Sequence, residues 1–305
     1  MKKMGFSITA VERDVGLSKD VLRVWERRYG FPAPERDANG ERVYPAEQVE
    51  RLRLIRRLMD HGHRPGRLLT ATVKDLRALS LRRPTVASGD QGEGLDELVK
   101  LIKLHEAEAY LQAMLQRLAR HGLQRFVLDT VAPLTQLIGV AWEEGRLQIF
   151  EEHLFTELTE RLLRQAIATV PPGREPRILL TSLPNEQHGM GLLMAEATLA
   201  LEGAHCISLG TQTPMLEIVR AAAAHRANII ALSFSAAFPR RHVPALLQQL
   251  RAALPTGTQL WAGGSGMSRI AAQDGVLSVG ELGDAVAALV RWRSIHAADV
   301  RAGAQ

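Results

Sequence analysis

The sequence predicts a multidomain protein: an all-α winged helix-turn-helix head, a helical bundle, and an α/β domain built on a doubly wound parallel sheet. Three observations predict it. The excess positive charge is confined to the first quarter of the chain, where two short amphipathic helices meet at a glycine turn. Between Leu95 and about Val170 apolar residues recur at helical spacing. From Arg177 onward, short apolar runs alternate with helix-like stretches. The divisions fall at residues 1–79 for the head, 80–94 for a linker, 95–172 for the bundle and 173–305 for the sheet domain.

Composition sets the frame. The chain of 305 residues is 46% hydrophobic and 23% charged, an ordinary soluble profile with enough apolar residues for several cores. A single cysteine, Cys206, excludes an intramolecular disulfide, and MKKMGFSITAVERDVG meets charge before any apolar stretch of signal-peptide or membrane-span length. A cytoplasmic protein with no membrane partner is expected. Residues 1–72 hold 15 Lys and Arg against 10 Asp and Glu, while the remainder holds 23 of each. A basic module on a neutral body points to an anionic partner for that module, nucleic acid being the usual one.

In the head, ITAVERDVG reads as a short helix closed by Gly16, and Ser18 caps a second helix, KDVLRVWERRYG, ended by Gly30. Val21, Leu22 and Trp25 face inward, and Arg23 and Arg27 share the outer face. Next, FPAPERDANGERVY carries turn signals at Pro34, Asn39 and Gly40, which suits a hairpin wing reaching phosphates or the minor groove. A third helix, PAEQVERLRLIRRLMDHG, starts with proline at its first position. The candidate DNA-contacting residues are Arg23, Arg27 and Arg28 on the second helix and Arg36, Arg42 and Tyr44 on the wing. The run LRVWERRYG, the wing pattern ending at Tyr44 and VERLRLIRRLMDHG, over residues 6 to about 72, resemble the DNA-binding domain of the MerR family of transcription regulators. That resemblance implies double-stranded operator DNA as partner and self-association on inverted repeats.

Residues 80–94 lose apolar periodicity and concentrate Pro, Ser, Gly and charge, as a linker does. Four apolar-periodic segments then imply a small bundle. Within it WEEGRLQIFEEH places Trp142 ten residues before Glu152, with His153 next; alone, these read as a core tryptophan and a helix-surface pair.

The sheet domain decides more. In open parallel sheets ligands bind outside the carboxyl ends of the strands. The first such end carries Glu186, His188 and Gly191, the third Ser233 and Ser235, the fourth Gly263 and Gly264. With 41 residues between Gly191 and Ser233 and 27 between Ser235 and Gly263, the set resembles the cobalamin-binding signature Asp/Glu-x-His-x-x-Gly, Ser-x-Val/Leu, Gly-Gly on a Rossmann-like fold. Ser235 departs from it, standing at the apolar third position of the middle element. The resemblance implies that His188 is the lower axial ligand of cobalt, replacing the cofactor's dimethylbenzimidazole. Glu186 would fix its tautomer from the other ring nitrogen, and Ser233 would hydrogen-bond the displaced base. Gly191, Gly263 and Gly264 would let macrocycle and tail approach the backbone.

A MerR-like head, a bundle with this Trp and Glu-His spacing, and a cobalamin module, in this order, resemble the CarH/LitR group of light-responsive repressors. The resemblance implies adenosylcobalamin as cofactor, Trp142 packed on the 5′-deoxyadenosyl group, and Glu152 and His153 lining the same cavity. It implies a repressor that holds its operator as a tetramer in darkness and is released by light. Glu143 departs from that group, where a histidine can follow the tryptophan. Two rivals remain: a regulator that senses cobalamin or another ligand without photochemistry, and a cobalamin-carrying enzyme subunit. The head and the lack of a substrate barrel count against an enzyme.

Overall fold

The structure, a computed structural model, describes residues 5–15, 17–38, 40–60, 64–80, 94–268 and 270–302. Most of the expected linker, and both Gly16 and Asn39, lie outside the described residues. The head is one compact unit, and the bundle with the sheet domain belongs to another.

The head runs β1 (Gly5–Ser7), α1 (Ile8–Val15), α2 (Lys19–Tyr29), β2 (Glu35–Arg36), β3 (Arg42–Pro45), α3 (Ala46–Asp60), α4 (Pro65–Thr70) and α5 (Val73–Ser80). Helix α2 has the ends its sequence calls for. Ser18 Oγ accepts the Val21 N–H at 3.3 Å, and Gly30, at φ 67°, donates its N–H to the Glu26 carbonyl. The wing gains a third strand that the sequence reading did not anticipate: β1 pairs antiparallel with β3, Phe6 opposite Tyr44. Pro45 ends β3, so α3 begins at Ala46, one residue later than expected. Val11, Leu22, Trp25, Tyr44, Leu52, Ile55, Leu68 and Leu76 form the core, and α4 and α5 close it from the C-terminal side.

The bundle consists of α6 (Leu95–Lys103), α7 (Ala107–Arg125), a π-helical stretch (Phe126–Val131), α8 (Ala132–Glu143) and α9 (Ile149–Ala168). Gly122, at φ 72° and ψ 164°, breaks the helical geometry within α7. The π stretch has a reason in Pro133, which cannot donate to the carbonyl four residues back; a wider turn before it accommodates the ring. Inside, the Tyr110 hydroxyl and Thr159 Oγ1 meet at 2.7 Å, satisfying two buried polar groups.

The last domain runs β4 (Arg174–Thr181), α10 (Met190–Leu201), β5 (Ala204–Gly210), α11 (Met215–Ala224), β6 (Ile229–Ser233), α12 (Val243–Ala253), β7 (Gln259–Gly263), β8 (Val276–Val279) and α13 (Leu282–Ala302). Its five strands are all parallel, in the order β5-β4-β6-β7-β8. Alternate residues of β4 point to opposite faces: Leu179 joins the core under α11 and α12, and Ile178 and Leu180 the core under α10 and α13. Helix α10 is apolar on two sides. Leu192 and Leu199 pack on the sheet, while Met190, Leu193 and Ala197 pack on Leu158, Leu162 and Leu163 in the bundle core. Among the described residues no helix is long and apolar enough to cross a membrane.

Candidate functional site

The chain leaves β4 for one side of the sheet and later returns through β6 on the other, so the carboxyl ends of β4 and β6 adjoin at the point where strand order reverses. That reversal opens a crevice for ligands. The loop after β4 carries Glu186 and His188, and the loop after β6 carries Ser235.

Glu186 is the hub. Its carboxylate, 1% exposed, takes the His188 backbone N–H at 3.0 Å and lies 2.7 Å from His188 Nδ1 through Oε1. It also accepts the Ser235 backbone N–H at 2.7 Å and the Ser235 hydroxyl at 3.1 Å. Burial pushes the Glu186 carboxyl up, but these bonds from His188 and Ser235 outweigh it and hold the group below the usual carboxylate range. An ionised Glu186 draws the imidazole proton to Nδ1, which puts the lone pair on Nε2. The His188 ring remains 58% exposed at the crevice. Ring orientation, tautomer and exposure therefore fit a ligand for a metal, and the donor is an imidazole nitrogen, which suits cobalt.

Residues outside the expected set support this loop. Ser182, fully buried, donates its hydroxyl to the Glu186 carbonyl at 2.7 Å and accepts the Gln212 N–H at 2.9 Å. Thr181 Oγ1 meets the Gly210 carbonyl and Thr213 Oγ1 at 2.9 and 2.7 Å. The signal for both was two hydroxyl residues ending the apolar run RILLTS.

The glycines act through close approach. A Cβ on Gly191 would stand 2.7 Å from Ser233 Oγ, and one on Gly263 3.0 Å from the Val279 carbonyl. Gly264, at φ 93°, lies where a Cβ would strike the Phe234 carbonyl. Thus Gly191 and Ser233 come together, as do the glycine pair and the segment after β6. Ser235, the departure from the apolar pattern, is the residue that ties the β6 loop to Glu186.

In the bundle, Trp142 lies half-buried near the end of α8, packed against the bundle core. Glu152 and His153 lie near the start of α9, joined to each other at 2.8 Å, and Thr156 donates to Glu152 at 2.8 Å. About two turns farther along α9, on the same face as His153, Glu160 meets the His188 loop. A Cβ on Gly189 would stand 2.8 Å from Glu160 Oε1, and Arg164 bonds Glu160 at 2.9 Å. Contact between α9 and the crevice loop was not foreseen, because nothing local to Glu160 signals it.

In the head, Arg23, Arg27 and Arg28 are exposed along α2, Arg23 lying 3.6 Å from Asp20. Arg36 is exposed on the wing and donates to the Gly40 carbonyl at 2.6 Å. Arg42 instead turns to α2, with Nε 2.9 Å and Nη2 3.4 Å from the two Glu26 oxygens. Tyr44 corrects an expectation: it is fully buried in the head's core, where it shapes the wing from beneath and offers no surface to DNA. The reason is strand periodicity, since Arg42 and Tyr44 share the face of β3 that looks at α2.

The chain matches the MerR HTH family regulatory protein family over residues 6–68 and B12 binding domain families over residues 95–167 and 176–290. It is 30% identical over 284 residues to the HTH-type transcriptional repressor CarH of Myxococcus xanthus, spanning 87% of this chain and 90% of that protein. It is 32% identical over 267 residues to the HTH-type transcriptional repressor CarA of the same organism, spanning 83% and 84%. Among solved structures, the monomethylamine corrinoid protein of Methanosarcina barkeri shares the fold, with a TM-score of 0.51 at 14% identity over 63% of this chain and 95% of that one.

Proposed function

The chain belongs to the family of MerR-type, B12-binding regulators that includes the CarH and CarA repressors, and from this premise we propose that it is an adenosylcobalamin-dependent, light-responsive transcriptional repressor acting in the cytoplasm. It is a regulator and not an enzyme. The observation that carries the reading is the Glu186–His188–Ser235 cluster at the strand reversal.

In this reading His188 Nε2 would ligate the cobalt, with Glu186 holding the ring in place. Ser233 and Gly191 border the slot for the displaced base, and Gly263 and Gly264 let the backbone close on the tail. Trp142, Glu152 and His153 would border the cofactor from the bundle side. When bound, adenosylcobalamin supplies a cobalt–carbon bond that light breaks.

The remainder is the protein's own response. Helix α10 begins just after His188 and is packed on both the bundle and the sheet, so a ligand held between His188 and Trp142 acts on the packing of both domains. Contacts made by the adenosyl group in one arrangement alone shift the population toward it, and their loss removes that bias. The favoured arrangement is a dark homotetramer. Several heads engaging one operator then multiply affinity through effective concentration, so disassembly weakens binding with every base contact unchanged. In each head α2 enters the major groove, with Arg23, Arg27, Arg28 and Arg36 toward the duplex.

Glu143, last residue of α8, bears on the illuminated state. A carboxylate suits this cobalt centre less well than imidazole, so the position next to Trp142 offers no durable lock on an illuminated state. A regulator that reports cobalamin occupancy without light is the alternative. The experiment is the absorption spectrum and operator binding of the purified protein with adenosylcobalamin, in darkness and after green light. The proposal predicts a spectral change accompanied by release of DNA. Binding that depends on the cofactor but ignores light would establish the alternative.

A further inference from the structure

Among the outward side chains of helix α2, Val24 is the exposed apolar one. Leu22 and Trp25 face the core, and the opposite stripe, at helical spacing, is Asp20, Arg23, Val24 and Arg27. Three of the four are charged and well solvated. Val24 leaves 43% of its surface in water at the middle of the stripe, bordered by charge at both ends. Single exposed valines are common on protein surfaces; this one stands at the centre of the face that an operator would meet. Its two γ-methyls hold essentially one rotamer on a helix, so the backbone fixes where they point and little entropy is lost when they are covered. In the major groove the apolar feature of a base pair is the thymine 5-methyl group.

We propose that Val24 is a specificity-determining residue that packs on a thymine 5-methyl group in the operator's major groove, so that the outward stripe reads one apolar mark between charged contacts. The inference rests on the operator-binding reading above. It assigns Val24 a task different from that of the arginines: they set affinity and salt dependence, and Val24 selects A·T at one step of each half-site.

The test uses the full chain with adenosylcobalamin in darkness and a duplex selected by it from a randomised library. Each thymine of that duplex is replaced in turn by uracil, which lacks only the methyl group. Wild type should lose about fourfold in affinity at one symmetric pair of positions, the worth of one buried methyl. Val24→Ala should bind the thymine duplex correspondingly less well and be indifferent to uracil at that pair, with an unchanged salt slope. No uracil penalty in wild type, or the same penalties in Val24→Ala, would overturn the assignment while leaving operator binding intact. If selection enriched no sequence, the operator-binding reading itself would fail, and this inference with it.

Discussion

The guanidinium of Arg42 on the wing grips both carboxylate oxygens of Glu26 on α2, so wing and helix are coupled by one two-point ion pair. Both side chains keep under a third of their surface exposed. A planar fork on a carboxylate fixes an angle as well as a distance, and α2 can then present its outer face in one attitude.

Arg42 is accordingly expected to act by position. Arg42→Ala should weaken operator binding while leaving its salt dependence near that of wild type. Arg27→Ala should reduce the slope of log affinity against log salt by about one, since it removes an exposed cation. Binding isotherms at several salt concentrations separate the two. An equal loss of slope in both variants would return Arg42 to the phosphate-binding set.

Gly191→Ala should impair corrinoid binding, because the added Cβ meets Ser233 Oγ at 2.7 Å. Trimming the obstacle in Gly191→Ala/Ser233→Ala should recover part of the affinity. Titration of both variants with cobalamin reads this directly, and an unaffected single variant would show that the approach of α10 to β6 is not part of the slot.

The acid behaviour of Glu186 follows from its depressed carboxyl. A group held below its unfolded value adds stability that is fully present above the unfolded value and is lost as pH falls through the folded one. Wild type should therefore lose stability progressively on acidification through the carboxylate range, whereas Glu186→Gln should start lower and change less there. Replacing a buried acceptor of charge-assisted bonds costs about 1–3 kcal/mol. Urea unfolding of the two proteins over a pH series measures it; parallel curves would mean that another carboxylate governs the loss.

Much of this architecture is legible in the sequence because its signals are local. Ser18 and Gly30 mark the ends of α2, and the apolar runs at Ile178 and Ile229 mark buried parallel strands. What escaped depends on distant partners. Strand β1 is three residues long and exists through pairing with β3 some 40 residues on, so no local pattern announces it. Tyr44 looked like a wing residue beside two arginines; the two-residue period puts it on the face of Arg42, and the Arg42–Glu26 pair, a contact distant in sequence, is what turns that face to α2. Ser235 looked like a defect in an apolar pattern, and its partner Glu186 lies on another strand's loop. Glu160 was invisible for the same reason: its neighbour, Gly189, is a loop residue far along the chain.

The most direct measurement is a titration of wild type and His188→Ala with adenosylcobalamin in darkness, followed by absorption, with circular dichroism of both proteins as the control for fold. His188 sits on a loop and is 58% exposed, so its removal should leave secondary structure unchanged. Wild type should bind with the spectrum of a cofactor that has exchanged its own base for a histidine. His188→Ala should bind at least about tenfold more weakly, with a spectrum in which the cofactor keeps its base. Equal affinity and an identical spectrum in the two proteins would contradict the assignment of His188, and with it the account of how this chain holds its cofactor.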